Sequence, residues 1–247
     1  MTGESTDGKP DWDEDDTQDF IDYGRYFVPD HETQIETICD MVPPPSGLCH
    51  MLDLCCGAGL LARALLDRFP ECHVHGFDGS PRMIARARAA LVDYSERFEA
   101  QRFDLAAHTW RKLPWPVHAT VSSLAIHHLD GPEKQALFND MARILIPGGV
   151  FIIADLIQPM TQRGTNLAAK AWEEAVRQRS LALDGNLEAY EYFCAIKWSP
   201  YSYPEPVDKL SPLFDQLKWL EKAGFTDVDV FWMKAGHAIF GGRKPEE

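Results

Sequence analysis

The chain has 247 residues, 45% of them hydrophobic, which is enough to bury the core of one large α/β domain and short for two. Its 38 acidic against 24 basic side chains leave a formal net charge of −14, and that charge opposes non-specific docking on nucleic acid or anionic lipid. Six cysteines without a C-x-x-C pair predict reduced thiols, with neither a disulfide framework nor a zinc site, and the lack of an apolar leader or long apolar run predicts a soluble, cytosolic protein.

Residues 1–19 are dense in Asp, Glu, Gly, Ser and Thr and read as a flexible acidic tail. From Phe20 to Val42 apolar residues recur at helical spacing, with Gly24 expected to divide two short helices and Pro29 opening the second. Pro43-Pro44-Pro45 stops the helix. Strand and helix then alternate. His50 to Leu61, H-M-L-D-L-C-C-G-A-G-L-L, is an apolar strand ending in two glycines that open a helix. Without a Cβ, Gly57 and Gly59 let peptide groups come into contact with a bound molecule, and the free N–H groups of the following helix point at it. Asp53 lies at the carboxyl end of the strand, where open α/β sheets hold ligands, and suits a ligand bearing a cationic amine.

A second strand, His73 to Phe77, ends at Asp78, about 20 residues past the glycines, where a carboxylate reaches a ribose diol. Ser80 as N-cap and Pro81 at the first helical position start a helix expected to run to Arg97. A third strand, Phe98 to Phe103, ends in Asp104. A fourth, Ala119 to Leu124, leads into A-I-H-H-L and a helix opened by Asp130-Gly131-Pro132. His127 and His128 are the leading general-base candidates, since imidazole titrates near neutrality. Pro147-Gly148-Gly149 turns into a fifth strand, Val150 to Asp155, apolar enough to be buried on both faces. Asp155 ends it near the expected pocket.

Residues 157–212 follow as an insert: a helix over Thr165–Leu183, another over Leu187–Ile196, then the loop W-S-P-Y-S-Y-P-E-P-V. Tyr190, Tyr192, Trp198, Tyr201 and Tyr203 are candidates either to line an apolar pocket or to pack the insert on the sheet. A last helix stops at Gly224 as C-cap. The stretches T-D-V-D-V-F-W-M-K and A-G-H-A-I-F-G-G-R-K form a closing antiparallel pair.

Taken together, D-L-C-C-G-A-G, F-D-G-S-P-R-M-I, R-F-D-L and R-I-L-I-P-G-G-V-F-I-I-A-D resemble the class I S-adenosylmethionine-dependent methyltransferases, from Pro44 to Lys244. The resemblance implies a Rossmann-like methyltransferase fold: a mostly parallel seven-stranded sheet, helices on both faces and a C-terminal antiparallel strand pair. One domain, 20–247, would carry lid helices at 20–43 and the substrate insert at 157–212. The implied cofactor is S-adenosyl-L-methionine, held by Asp53, Cys55, Gly57, Gly59, Asp78, Gly79, Met83, Asp104, Leu105, Ser122 and Tyr26, with Asp104 and Leu105 beside the adenine. Tyr23, Arg25, Tyr26 and His31 in the lid are further contact candidates. The implied activity is methyl transfer to a small-molecule acceptor by in-line displacement, with His127 or His128 as base for a phenol or alcohol. No metal and no nucleic-acid partner is expected, and the oligomeric state is open.

Three alternatives stand beside this reading. Gly57, Gly59 and Ala62 also fit the G-x-G-x-x-G/A loop of nicotinamide oxidoreductases, although an obvious Tyr-x-x-x-Lys is missing and the closing strand pair is foreign to that class. A non-catalytic S-adenosylmethionine-binding protein is the second. The third is a cofactor-modifying enzyme, since the chain is distantly similar to the carboxy-S-adenosylmethionine synthase group.

Overall fold

Each strand of the alternating region is flanked by amphipathic helices, and the computed structural model, which describes residues 14–246, assembles them as a three-layer sandwich. The strands are β1 (Cys49–Leu54), β2 (Cys72–Asp78), β3 (Phe98–Arg102), β4 (Val117–Ser123), β5 (Leu145–Leu156), β6 (Thr226–Lys234) and β7 (His237–Arg243). They form one sheet in the order β3-β2-β1-β4-β5-β7-β6, parallel except for β7, which is antiparallel to both neighbours. The strand order reverses between β1 and β4, so their carboxyl ends splay apart into the crevice where such sheets take ligands.

One face of the sheet packs against α2 (His31–Met41), α3 (Leu60–Arg68) and α4 (Pro81–Ala90) through Ile38, Leu65, Ile84 and their neighbours. The other packs against α5 (Gly131–Ile144) and α8 (Leu213–Ala223), where Leu137, Phe138, Met141 and Leu220 are buried. A third cluster stands above the carboxyl end of the sheet. There α1 (Glu14–Phe27) meets the insert helices α6 (Gln162–Asp184) and α7 (Glu188–Ala195) around Phe27, Trp172, Val176 and Phe193.

Helix boundaries follow the expected chemistry in most places. The Ser80 hydroxyl accepts from Met83 N, Asp130 and Glu133 form a reciprocal capping box, and Gly185 and Gly224 end their helices in the left-handed region. Four expectations need correction. Gly24 does not divide two helices: α1 runs through it, with the Phe20 ring 3.4 Å from where a Cβ would stand, and the chain breaks at Pro29-Asp30. The helix after Pro81 ends at Ala90, short of Arg97, and a 3-10 turn at Val92–Tyr94 leads to β3. The boundary at residue 19 is also too late, because α1 begins at Glu14, Thr17 is fully buried and Asp19 accepts a 2.6 Å hydrogen bond from Tyr192 Oη. The expected flexible tail over residues 1–13 lies outside the described residues. Finally, Cys49 and Cys72 are disulfide-bonded. They are register partners on adjacent parallel strands, Cα 4.6 Å apart, and their separation of 23 residues carries no motif that reveals the pairing. Among the described residues, no helix is long and apolar enough to cross a membrane.

Candidate active site

The cradle at the end of β1 is built from backbone. Cys55, Gly57 and Gly59 all adopt positive φ (57°, 51° and 84°), folding the chain back on itself before α3. The two glycines have different reasons to lack a side chain. A Cβ on Gly59 would stand 2.9 Å from Leu91 Cδ1 and 3.3 Å from the Ala87 Cβ, so Gly59 lets α4 pack closely. Among the described residues a Cβ on Gly57 would meet only Met83 Sδ at 4.0 Å, so they leave space on its bare face. Asp78 ties the turn to the next helix: one carboxylate oxygen accepts from Gly57 N at 2.9 Å and the other from Ser80 N at 2.8 Å.

Asp53 is 1% exposed, and among the described residues its Oδ2 has no hydrogen-bond partner. Burial, with the Asp78 charge adding to it, pushes its pKa up to about 7. An unpartnered buried carboxylate oxygen beside a glycine turn is an acceptor waiting for a donor. The donor set fits an amine-bearing nucleotide ligand such as S-adenosylmethionine: Asp53 would offer the acceptor for an amine and Gly57 the room for close approach.

The second half of the site lies at the ends of β4 and β5. Leu124, a non-glycine residue at φ 53°, turns the chain from β4 into the short 3-10 helix Ile126–His128. Asp155, 3% exposed at the end of β5, grips His127 twice, accepting from its backbone N at 2.7 Å and facing ring Nδ1 at 2.5 Å. The other ring nitrogen, Nε2, faces Asp208 Oδ1 at 3.5 Å. Burial alone would depress His127, but the Asp155 charge and hydrogen bond outweigh it and its pKa is raised. For His128, burial and then the neighbouring His127 charge act together and push the pKa down to about 3.

These histidines form the polar end of a cleft whose apolar walls include Phe20 and Phe27 from α1, Trp172 from α6, and Trp198 and Tyr203 from the insert loop. The charged residues along it are Lys197, Glu205 and Asp208. The N-terminal wall is fixed in place: Trp172 Nε1 donates to Phe27 O at 2.6 Å, and the Arg179 guanidinium bridges Arg25 O and the Glu32 carboxylate.

The structure thus gathers Asp53, Cys55, Gly57, Gly59, Asp78, Gly79 and Met83 around the glycine turn, and His127 and His128 at the cleft. Other predicted residues are engaged elsewhere. The Ser122 hydroxyl donates to Leu54 O at 2.9 Å, joining β4 to β1. Asp104 is exposed and accepts from Ala106 N at 2.9 Å, while Leu105 is half-buried beside it. Tyr26 turns toward α6, where its hydroxyl meets Asp184. Of the five insert aromatics, Trp198 and Tyr203 line the cleft. Tyr201 donates into the backbone at Ile157 O and Gly236 O, and Tyr192 stacks on Tyr23 with ring centroids 4.4 Å apart. Sequence reasoning missed Phe27, Trp172 and Asp208. Phe27 and Trp172 sit at core-like helical positions, and Asp208 reads as an ordinary loop acid.

Residues 51–149 match the family model for a methyltransferase domain. Trans-aconitate 2-methyltransferase of Acidovorax sp. (strain JS42) is 33% identical over 149 residues, covering 57% of this chain and 54% of its own length. The chain therefore matches about half of that relative. Among solved structures, an O-methyltransferase family protein from Burkholderia thailandensis superposes with a TM-score of 0.64 at 15% identity, covering 87% of this chain and 56% of that one. Phosphoethanolamine N-methyltransferase 2 of Haemonchus contortus, in complex with S-adenosyl-L-methionine, gives 0.62 at 18%, covering 93% and 57%. Residues 51–149 thus carry a methyltransferase domain, and the strand order and glycine cradle are those of the Rossmann-like methyltransferase fold, which supports a small-molecule methyltransferase of the class I S-adenosylmethionine-dependent type.

Proposed function

We propose that the chain methylates a small, largely apolar acceptor bearing an ionisable hydroxyl, held in the aromatic cleft between α1 and the insert, with S-adenosylmethionine in the glycine cradle. The observation that carries this reading is the buried Asp155–His127 pair at the polar end of that cleft. Bound in the cradle, the cofactor supplies a methyl group on a good leaving group. The chain's own residues then have to exclude water, align the acceptor for in-line attack and take up its proton. Asp155 holds the imidazole through Nδ1, which leaves Nε2 turned toward the cleft and stabilises the imidazolium formed on proton uptake.

The acceptor named for the Acidovorax relative, trans-aconitate, is a polycarboxylate. Here the cleft presents Glu205 and Asp208 against Lys197, a lining that repels a polyanion. The aromatic walls favour a flat hydrophobic body instead.

The test is methyl-labelled cofactor presented with a panel of phenols, aliphatic alcohols, amines and trans-aconitate. Label on phenols or alcohols, reduced about 10²-fold or more in His127→Ala with cofactor affinity kept, is the expected result. Turnover of trans-aconitate alone, or full activity in His127→Ala, defeats the acceptor reading or the base reading respectively.

A further inference from the structure

At the polar end of the cleft, His127, His128 and Asp208 each offer a donor atom, and the three atoms lie within 4.8 Å of one another. Asp208 Oδ1 stands 3.5 Å from His127 Nε2 and 3.7 Å from His128 Nδ1. Those separations are too long for hydrogen bonds of ordinary strength. Four ligands at the usual zinc distances, about 2.0–2.1 Å from a tetrahedral centre, lie about 3.3 Å from each other. The two distances to Asp208 are therefore within a few tenths of an ångström of that spacing, and the donors of the two imidazoles lie within 4.8 Å of each other.

The trio is preorganised by contacts that none of its ligand atoms supplies. The loop carrying Asp208 is fastened to the histidine turn by Lys209, whose backbone N donates to His127 O at 2.8 Å and whose Nζ donates to His128 O at 2.8 Å. Lys134 Nζ holds the same loop through Lys209 O at 2.6 Å and Ser211 Oγ at 2.8 Å. The Lys209 ammonium thus serves a backbone carbonyl, and that of Lys134 a backbone carbonyl and the Ser211 hydroxyl. Asp155 faces Nδ1 of His127, the carboxylate–histidine arrangement that fixes a metal-binding imidazole with its other nitrogen outward. The donor set of two imidazoles and one carboxylate, with the cleft on the remaining side, is that of an open site for a borderline divalent ion. Loading gives up the 3.2 Å approach of His128 Nδ1 to Val207 O.

We propose that His127, His128 and Asp208 bind a divalent transition-metal ion of the zinc class, with Asp155 as the outer partner that orients His127 and an open coordination position facing the acceptor cleft. The ion and a transferred proton would compete for the same lone pair on His127 Nε2. The site does not depend on the acceptor reading, and its test needs no acceptor.

Full-length protein without an affinity tag, stripped with chelator, is titrated with zinc by calorimetry and with cobalt by visible spectroscopy. The expected result is one equivalent bound per chain, with the intense visible bands of tetrahedral cobalt. That binding is lost in Asp208→Ala and His128→Gln, both at partly exposed positions where folding tolerates change, and weakened about 10- to 100-fold in Asp155→Asn. A second imidazole cluster serves as control: His50 Nδ1 lies 3.0 Å from His75 Nε2 toward the amino end of the sheet. Unchanged binding in His50→Ala and His75→Ala supports the assignment. Unchanged stoichiometry and spectrum in Asp208→Ala and His128→Gln, or loss in the His50 and His75 variants instead, overturns it.

Discussion

The two halves of the site are made in different ways. The cradle proposed for the cofactor is one continuous stretch, β1, a glycine turn and α3, closed by the single carboxylate of Asp78. The cleft proposed for the acceptor has no such continuity: its walls come from α1, α6, the insert loop and the ends of β4 and β5. A backbone-built site is specified by where side chains are missing, whereas a side-chain-built site is specified by how distant segments pack. The first is fragile to one substitution at one position. The second should change by degrees, through acceptor affinity, as its walls are altered.

The sharpest break should come at Gly57. Valine there places a branched side chain in the space left for the ligand and forces a β-branched residue into φ 51°. Calorimetry with S-adenosylhomocysteine should show affinity reduced about 100-fold or more, an effect of roughly 3 kcal/mol. Circular dichroism should still report a folded chain, because the protein itself leaves room for the added Cβ. Undiminished affinity in Gly57→Val would move the cofactor elsewhere.

At the cleft, Trp172→Phe tests the contrasting behaviour. It keeps an aromatic wall but removes the donor to Phe27 O, leaving a buried carbonyl unpaired at a cost of about 1–3 kcal/mol. The α1 wall should loosen, so KM for the acceptor rises several-fold while cofactor affinity stays within about twofold. Equal losses of both affinities would mean that the two halves are not independent.

Asp53 gives a smaller effect with a definite sign. Its folded-state pKa of about 7 lies above the ordinary aspartate value of 3.8 because burial, and then Asp78, disfavour its charge. Between these values the folded protein keeps a proton that the unfolded chain has released. Stability of the cofactor-free protein should therefore fall as pH rises through that window. Asp53→Asn should raise the Tm by a few degrees at pH 8 and leave it nearly unchanged at pH 4. A cationic amine favours the ionised form, so S-adenosylhomocysteine should bind the native protein more tightly as pH climbs from 5 to 7, releasing protons as it does so. Pairing of Asp53 with the cofactor amine is wrong if affinity is flat across that range.

How far the site was legible follows from the same contrast. The alternation of strand and helix, the glycine turn and the place of Asp78 at the end of the next strand rest on local patterns, with apolar runs ending in glycine or a carboxylate; that Asp78 accepts from Gly57 N and Ser80 N was not in view. Asp155 was in view, at the end of a strand buried on both faces. The link from His127 to Asp208 was not, because nothing in P-E-P-V-D-K-L marks that acid as the one Lys209 and Lys134 bring to the histidine turn. Tyr201 and Trp198 looked alike as aromatic candidates, yet one spends its hydroxyl on backbone carbonyls and the other lines the cleft. The Cys49–Cys72 bond depends on register between two strands, which residue spacing does not encode.

The smallest effect is expected at the amino terminus, and it sharpens where the cleft begins. Residues 1–13 hold one large aromatic side chain, Trp12, among small, acidic and glycine residues. Burying it would gain about 3 kcal/mol at most, against an ordering cost of about 1–2 kcal/mol for each residue fixed. Deleting residues 1–13 should therefore move the Tm by less than about 2 °C and leave both affinities unchanged. The next residues are different in kind: Thr17 is fully buried, Asp19 binds Tyr192, and Phe20 lines the cleft. Extending the deletion through Phe20 should raise KM for the acceptor while S-adenosylhomocysteine still binds. A large fall in Tm from the shorter deletion would show that the first 13 residues dock on the domain. An unchanged KM from the longer one would show that α1 is no wall of the acceptor site.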